Sequence, residues 1–98
     1  MDTDLDALVV KNNEARSRFE ITVGSDVAEL AYELEADRII FDHTGVPKAL
    51  EGRGIAGKLA EHGLEYAREH HLGVVPHCPY VASYIKRHPE YQDLVVPG

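Results

Sequence analysis

The stretch Gly52-Arg53-Gly54-Ile55-Ala56-Gly57-Lys58 decides the fold of this chain, because a strand-rich half ends before it and a helical pattern begins inside it. Glycine has no side chain, so a ligand can closely approach the backbone N–H groups of such a loop. The free amides and the dipole at the start of the following helix favour an anion such as phosphate or pyrophosphate. The same glycines also suit a plain turn between a strand and a helix, and the loop alone does not separate these two interpretations.

The spacing of Gly52, Gly54 and Gly57 matches the G-x-G-x-x-G pattern, but the surrounding sequence does not fit a dinucleotide-binding unit. Such a unit places the pattern after its first strand and adds further strand–helix units behind it. Here most of the strand-like sequence precedes the loop, and too little chain follows. A P-loop is also excluded, since the Ser or Thr that must follow Gly57-Lys58 in that motif is missing.

Size and composition predict one domain over residues 1–98, with residues 1–7 as a frayed acidic tail. No apolar run approaches transmembrane length and no signal segment opens the chain, so we expect no membrane partner. The formal net charge of −7 argues against a nucleic-acid partner. Cys78 is the single cysteine, which precludes an internal disulfide and favours a cytoplasmic protein. We expect a monomer or a weak homo-oligomer.

The first half of the chain predicts four consecutive strands joined by short turns. Alternation of polar and apolar residues over Ser17–Val23 and Ala28–Leu34 is typical of half-buried strands. Ala7–Lys11 before them, ending at the turn-prone Asn12-Asn13, and Arg38–His43 after them complete the set. Strands in this order with turns of a few residues indicate an antiparallel meander.

The second half predicts helix, strand and helix. Apolar residues recur every three or four positions from Ala56 to Ala67, which gives a helix with one apolar face. Gly63 lies on that face, and close packing against the sheet explains a residue that otherwise weakens a helix. A short strand follows in Leu72–His77, and a second helix over Tyr80–Arg87 begins after Pro79. The predicted fold class is therefore α+β with the order ββββαβα.

This order, with a glycine loop before the long helix, resembles the GNAT superfamily of N-acetyltransferases. Their loop reads Q/R-x-x-G-x-G/A, which Gly54 and Ala56 match and Glu51 does not. Glu51 must point away from a bound phosphate for the similarity to hold. Three segments resemble the short single-domain GNAT-like proteins in particular: His43-Thr44-Gly45-Val46-Pro47, Gly52-Arg53-Gly54-Ile55-Ala56 and Cys78-Pro79-Tyr80.

The resemblance implies that acetyl-coenzyme A is the co-substrate and that an unidentified amine accepts the acetyl group. It implies a catalytic pair of His43 and Cys78, with Tyr84 near the coenzyme A sulfur. The pantetheine arm is expected along the edge of the fourth strand, and the pyrophosphate in the glycine loop. The expected cofactor-binding residues are Phe41, Thr44, Val46, Arg53, Gly54, Ile55, Ala56, Gly57, Lys58 and Tyr80.

Each chemical residue also has an ordinary structural interpretation. Cys78 precedes a helix start, which favours thiolate, yet free cysteines are most often small buried apolar residues. His43 can act as a base near neutral pH or can cap the turn at the end of its strand. Tyr84 can protonate a leaving thiolate or fill the core. The adjacent pairs His70-His71 and His77-Cys78 diverge, so we expect no metal site.

Two functions follow from this sequence. The first is an acetyl-coenzyme A-dependent N-acetyltransferase, which transfers the acetyl group directly or through an acetyl-Cys78 intermediate. The second is a non-catalytic module that binds acetyl- or acyl-coenzyme A. Robust acetylation of any acceptor would exclude the second.

Overall fold

The structure is a computed structural model that describes residues 5–98, apart from the side chain of Asp6. Its strands are β1 (Lys11–Asn13), β2 (Arg18–Val23), β3 (Asp26–Glu35), β4 (Arg38–Gly45) and β5 (Gly73–Pro76). Its α-helices are α1 (Ile55–Glu69) and α2 (Pro79–Arg87). Short 3-10 turns lie at Leu5–Ala7, Glu14–Arg16, Lys48–Leu50 and Pro89–Leu94.

Within residues 5–98, the strands form a five-stranded sheet in the order β1-β2-β3-β4-β5. β1 to β4 are antiparallel neighbours, whereas β5 runs parallel to β4. A parallel neighbour requires a crossover, which α1 supplies. The predicted α+β class and the order ββββαβα are confirmed.

The first strand begins later than its sequence pattern predicts. β1 contains Asn12 and Asn13, which we expected in a turn. The side chains of both residues are held by tertiary and local hydrogen bonds. Tyr32 Oη donates to Asn12 Oδ1 at 2.6 Å, and Arg16 N donates to Asn13 Oδ1 at 3.2 Å. The turn therefore moves to the 3-10 segment after β1, which Ser17 closes with a φ of 52°.

Helix α1 packs its apolar face onto one face of the sheet. Ile55, Leu59 and Leu64 are buried there in a single core cluster with inward-facing strand residues. Gly63 explains the close approach, because a Cβ at this position would lie 2.9 Å from Phe41 Cε1. The expectation that Gly63 serves close packing is confirmed. Helix α2 joins the same cluster through Val81 and Ile85.

The C-terminal segment extends the sheet in a way the sequence pattern does not indicate. After the 3-10 turn Pro89–Leu94, Val95 bridges Val74 and the Val96 N–H donates to the Val74 carbonyl at 3.0 Å. Arg68 anchors the turn through Asp93, with both hydrogen bonds at 3.1 Å. The free edge of β5 is thereby covered.

At the other end of the chain, the expected frayed tail lies outside the described residues for positions 1–4. Leu5–Ala7 forms a 3-10 turn, and Lys58 Nζ donates to the Leu5 carbonyl at 2.5 Å. None of the helices in residues 5–98 combines the length and apolar character needed to cross a membrane.

We expect Gly63→Ala to lower the free energy of unfolding by about 1–3 kcal/mol, the usual cost of an extra methyl in a packed core. The new methyl would be forced against Phe41 and Leu30, at 2.9 and 3.2 Å. Urea unfolding followed by circular dichroism measures the change.

Gly57→Ala is the matched control in the same helix. A Cβ at Gly57 meets only ordinary contacts, the nearest being Tyr80 Oη at 3.4 Å. Because alanine has a higher helix propensity than glycine, Gly57→Ala should leave the free energy of unfolding unchanged or raise it by up to about 1 kcal/mol. Equal stabilities of the two variants would contradict the packing role of Gly63.

Candidate active site

The site begins where β4 and β5 part. The two strands pair from Arg38↔Gly73 to Phe41↔Pro76. The last link is a hydrogen bond of 2.7 Å from the Cys78 N–H to the Phe41 carbonyl. After it, the chain turns into α2, which starts at Pro79. The edge of β4 beyond Phe41 therefore has no β5 partner.

A β-bulge in β4 determines which side chains face this opening. β4 takes two steps from Phe41 to His43 while β3 takes one, from Tyr32 to Ala31. Side chains alternate between the faces of a strand, so the extra residue reverses the faces beyond it. Thr44 consequently lies opposite the core residue Leu30 and shares its face. Ala31 and His43 share the opposite face.

The bulge separates the expected catalytic pair and brings Cys78 to a different partner. Cys78 Sγ lies 3.1 Å from Thr44 Oγ1 and is only 2% exposed. His43 is exposed on the other face of the sheet. Its Nε2 atom and Glu29 Oε1 flank Gly45, at 3.1 and 3.5 Å from the position of an added Cβ. His43 therefore lies beside Gly45, close to Glu29.

The glycine loop forms one wall of a cleft of about 250 Å³. Gly54 caps α1 in the left-handed region with a φ of 78°, and Gly52 has the same φ. Helix α1 starts directly behind them, so its first amides lack partners within the helix. The cleft is lined by Val46, Leu50, Glu51, Gly52, Gly54, Ile55, Ala56, Gly57 and Tyr80.

The cleft contains six of the expected cofactor-binding residues and three that we did not predict, Leu50, Glu51 and Gly52. Leu50 and Glu51 belong to a short 3-10 turn and its end, and such a turn has no periodic sequence signal. Glu51 is exposed and lies in the cleft wall. A carboxylate there opposes a bound phosphate, contrary to the orientation that the resemblance requires.

Four other expected cofactor-binding residues lie outside the cleft lining, and one of them is Thr44, which contacts Cys78. Phe41 is fully buried, and its carbonyl is already bonded to the Cys78 N–H. The accessible edge of β4 therefore starts at Asp42. Lys58 Nζ is bonded to the Leu5 carbonyl, so a phosphate at this amine must replace that contact. Arg53 is exposed beside the loop.

Helix α2 carries two tyrosines near the cleft, Tyr80 and, one turn later, Tyr84. Tyr80 lines it, with its hydroxyl 3.4 Å from the position of a Cβ on Gly57. Tyr84 is buried and its ring stacks on His88 with centroids 4.0 Å apart. Burial, helped by the negative charge of Glu61, raises the pKa of Tyr84. Its phenol therefore keeps its proton and remains a hydrogen-bond donor.

The sheet face that carries His43 is charged. Arg18 pairs with Glu20 and with Glu29, the latter at 2.8 Å. Its hydrogen bond to Glu20 lowers the pKa of that carboxyl. Further along the face, the hydrogen bond that the protonated Glu33 carboxyl donates to Asp42, and then the negative charge of Asp42, raise the pKa of Glu33. In residues 5–98, no three His, Cys, Asp or Glu side chains are grouped so that they could hold a metal ion.

Comparisons with known proteins agree on one family. The sequence model of the GCN5-related N-acetyl-transferase family matches residues 18–94. Protein NATD1 from Mus musculus is 36% identical over 88 residues, which cover 87% of this chain and 80% of that protein. Protein NATD1 from Danio rerio is 31% identical over 94 residues, with coverage of 91% and 86%.

A solved structure gives the same result for the fold. The solution structure of a GCN5-like protein from Staphylococcus aureus superposes with a TM-score of 0.72 at 29% identity. The match covers 96% of this chain and 93% of the other. The described fold and the sequence similarity thus extend over nearly the same residues.

We expect Glu33→Gln to stabilise the protein at pH 7 and to have no such effect in acid. An acid whose pKa is raised by folding contributes stability below its unfolded pKa, near 4.5, and loses it as the pH rises through the folded pKa. At pH 7 the wild type has lost this contribution, whereas glutamine places no charge beside Asp42.

Urea unfolding at pH 7 and pH 4 measures the difference between variant and wild type. Glu69→Gln, an exposed change on α1, serves as the control and should show no comparable pH dependence. A Glu33→Gln protein that is no more stable than the wild type at pH 7 would refute this interpretation.

Proposed function

This chain belongs to the GCN5-related N-acetyl-transferase family, and we propose that it binds acetyl-coenzyme A and transfers the acetyl group to an amine. One observation gives this proposal its main support. The cleft at the start of α1 lies at the same end of the molecule as the unpaired edge of β4, with Val46 in the cleft wall two residues beyond Thr44. A long ligand with an anionic middle and a reactive end fits such an arrangement.

In this proposal the glycine loop holds the pyrophosphate. The amides from Arg53 to Gly57 include those at the start of α1, which lack partners within the helix. The positive end of the helix dipole stands behind them and favours an anion. The positive φ of Gly54 turns the chain into the helix without a side chain in the way.

The pantetheine arm is proposed to run along β4 from Asp42 to Gly45. β5 leaves β4 after the Phe41↔Pro76 pair, so the backbone groups on that edge are not used by the sheet. An extended chain with amide groups can bond to such an edge as an added strand would. This path brings the thioester end to the Thr44–Cys78 contact.

The acetyl transfer is proposed to be direct. The amine nitrogen attacks the thioester carbonyl carbon, a C–N bond forms, and the C–S bond breaks to release the coenzyme A thiolate. Because β5 has left this edge of β4, the acetyl group there can be reached from both faces of the sheet, and His43 accepts the proton that the amine loses from the face opposite Cys78. Tyr80 in the cleft wall, or Tyr84 behind it, protonates the thiolate. Direct transfer is favoured because the bulge separates His43 from Cys78, so the thiol lacks the histidine base that an acetyl-cysteine route would use.

The second candidate is a module that binds acetyl- or acyl-coenzyme A without transfer. Its support is the connection between β1 and β2, which in residues 5–98 is the three-residue 3-10 turn Glu14–Arg16 and contains no α-helix. The 2% exposure of Cys78 also favours this alternative over a covalent enzyme. Both candidates require coenzyme A binding and differ only in turnover.

We expect Gly57→Ala to weaken coenzyme A binding by about tenfold, equivalent to about 1.4 kcal/mol. The added methyl would stand in the cleft beside Tyr80 Oη, while the helix itself tolerates alanine. Gly54 is a poorer probe, because its φ of 78° strains any other residue. Calorimetric titration with coenzyme A measures the effect, and circular dichroism verifies the fold.

Glu51→Gln is the opposing variant in the same cleft. Removing a carboxylate from the wall should strengthen coenzyme A binding by about two- to fivefold at low salt, and less at high salt. If both variants bind as the wild type does, the loop is only a turn and the proposed cofactor site is wrong.

Turnover is tested with acetyl-coenzyme A and a panel of amines, polyamines and peptides with free N-termini. We expect acetylation of at least one class, a loss of about a hundredfold or more in His43→Gln, and activity retained in Cys78→Ser. Intact mass without acceptor should show no acetyl adduct. Coenzyme A binding without acetylation of any acceptor would favour the binding module.

A further inference from the structure

The proposed function gives no role to the hydrogen bond between the Thr44 hydroxyl and the Cys78 thiol. Cys78 is fixed on both sides: its N–H is bonded to the Phe41 carbonyl at 2.7 Å, and its carbonyl accepts from the Ala82 N–H at 3.0 Å in the first turn of α2. Its side chain does not cap that helix. The sulfur instead lies 3.1 Å from Thr44 Oγ1.

Thr44 is the more exposed member of this pair. It is half-buried, whereas Cys78 is 2% exposed. It also stands on the stretch of β4 that β5 has left, three residues beyond the last pair. Among the residues that the structure describes, Cys78 is the hydrogen-bond partner of Thr44 Oγ1. The hydroxyl therefore has bonding capacity left on the side of the opening.

Either Sγ or Oγ1 can be the donor in this contact, and the capacity left on the hydroxyl depends on that direction. A thiol has one weak proton to donate, and a hydroxyl can accept it while still donating its own proton elsewhere. With the S–H directed at Oγ1, the Thr44 O–H is left to point into the opening. A hydroxyl that accepts one hydrogen bond becomes a better donor in the next, because bonds in a chain polarise one another.

We propose that Thr44 is the side chain that binds the thioester carbonyl oxygen, and that the Cys78 thiol is the group that orients it. This inference rests on the proposed function, since it assigns a role inside the same site. It makes Cys78 a positioning residue rather than a nucleophile. During transfer, the carbonyl oxygen gains negative charge as the amine attacks, and the Thr44 O–H stabilises that charge.

The test compares two ligands that differ only in the carbonyl group. Coenzyme A and acetyl-coenzyme A are titrated calorimetrically into wild type and Thr44→Val without acceptor. Valine keeps the shape of threonine and removes the hydroxyl. We expect unchanged affinity for coenzyme A and about fivefold weaker binding of acetyl-coenzyme A, the usual effect of one hydrogen bond. Thr44→Ser should restore the wild-type ratio.

A second readout needs no ligand. Because the chain has one cysteine, the infrared difference between wild type and Cys78→Ser isolates a single S–H stretching band. If the thiol donates to Thr44, this band moves to higher frequency in Thr44→Val and returns in Thr44→Ser. An unmoved band would overturn the orienting role of Cys78.

The remaining outcomes are equally decisive. If Thr44→Val weakens the binding of coenzyme A and acetyl-coenzyme A to the same extent, or leaves both unchanged, the carbonyl contact is refuted while the proposed function stands. An acetyl adduct on Cys78 would also refute it, since the thiol would then be a nucleophile. If the wild type binds neither ligand, the proposed function itself is wrong and this role is lost with it.

Discussion

The hydrogen bond from the Cys78 N–H to the Phe41 carbonyl is the contact on which the rest of this structure depends. It closes the parallel pair of β4 and β5, so it fixes the point at which the sheet opens. Phe41 is also the residue whose ring meets Gly63 of α1, and any side chain at Gly63 would push the helix away. One residue thus sets both the distance of α1 from the sheet and the start of the opening.

Two local irregularities turn that opening into a site. The bulge in β4 reverses the faces after Asp42, which brings Thr44 to Cys78 and leaves His43 on the charged face. Gly54, with its positive φ, stands at the start of α1, and the first residues of that helix line the cleft. A regular strand and a regular turn would build the same core without these two features. The chemistry that we propose for the site therefore depends on departures from regular structure, which cost stability and are typical of functional positions.

Much of the fold could be predicted from the sequence, because its signals are periodic. The alternation in Ser17–Val23 and the helical spacing from Ala56 to Ala67 correspond to β2 and α1. The glycine loop could be located from its composition alone, as could the start of α2 from Pro79. Gly63 was interpretable as well, since a glycine on an apolar helix face has few explanations other than close packing.

The site was less predictable because its decisive features are not periodic. Alternation through Ile39, Phe41 and His43 suggests that all three share a face, and only the bulge shows that His43 does not. The sequence Asn12-Asn13 predicts a turn. Asn12 instead lies in β1, where its side chain accepts a hydrogen bond from Tyr32, twenty residues away. The C-terminal 3-10 turn has no pattern of its own. In each case a tertiary contact overrides the local preference.

The parallel pairing of β5 also has a kinetic meaning. β2, β3 and β4 meet through short turns, so their contacts are local in the chain and can form early. β5 reaches β4 only after the whole of α1 has been placed, and Val95 reaches β5 later still, with twenty positions between it and Val74. Loop closure of this kind slows folding. The opening beside Thr44 and Cys78 would then border the last-formed part of the sheet, where small rearrangements to admit a ligand cost least.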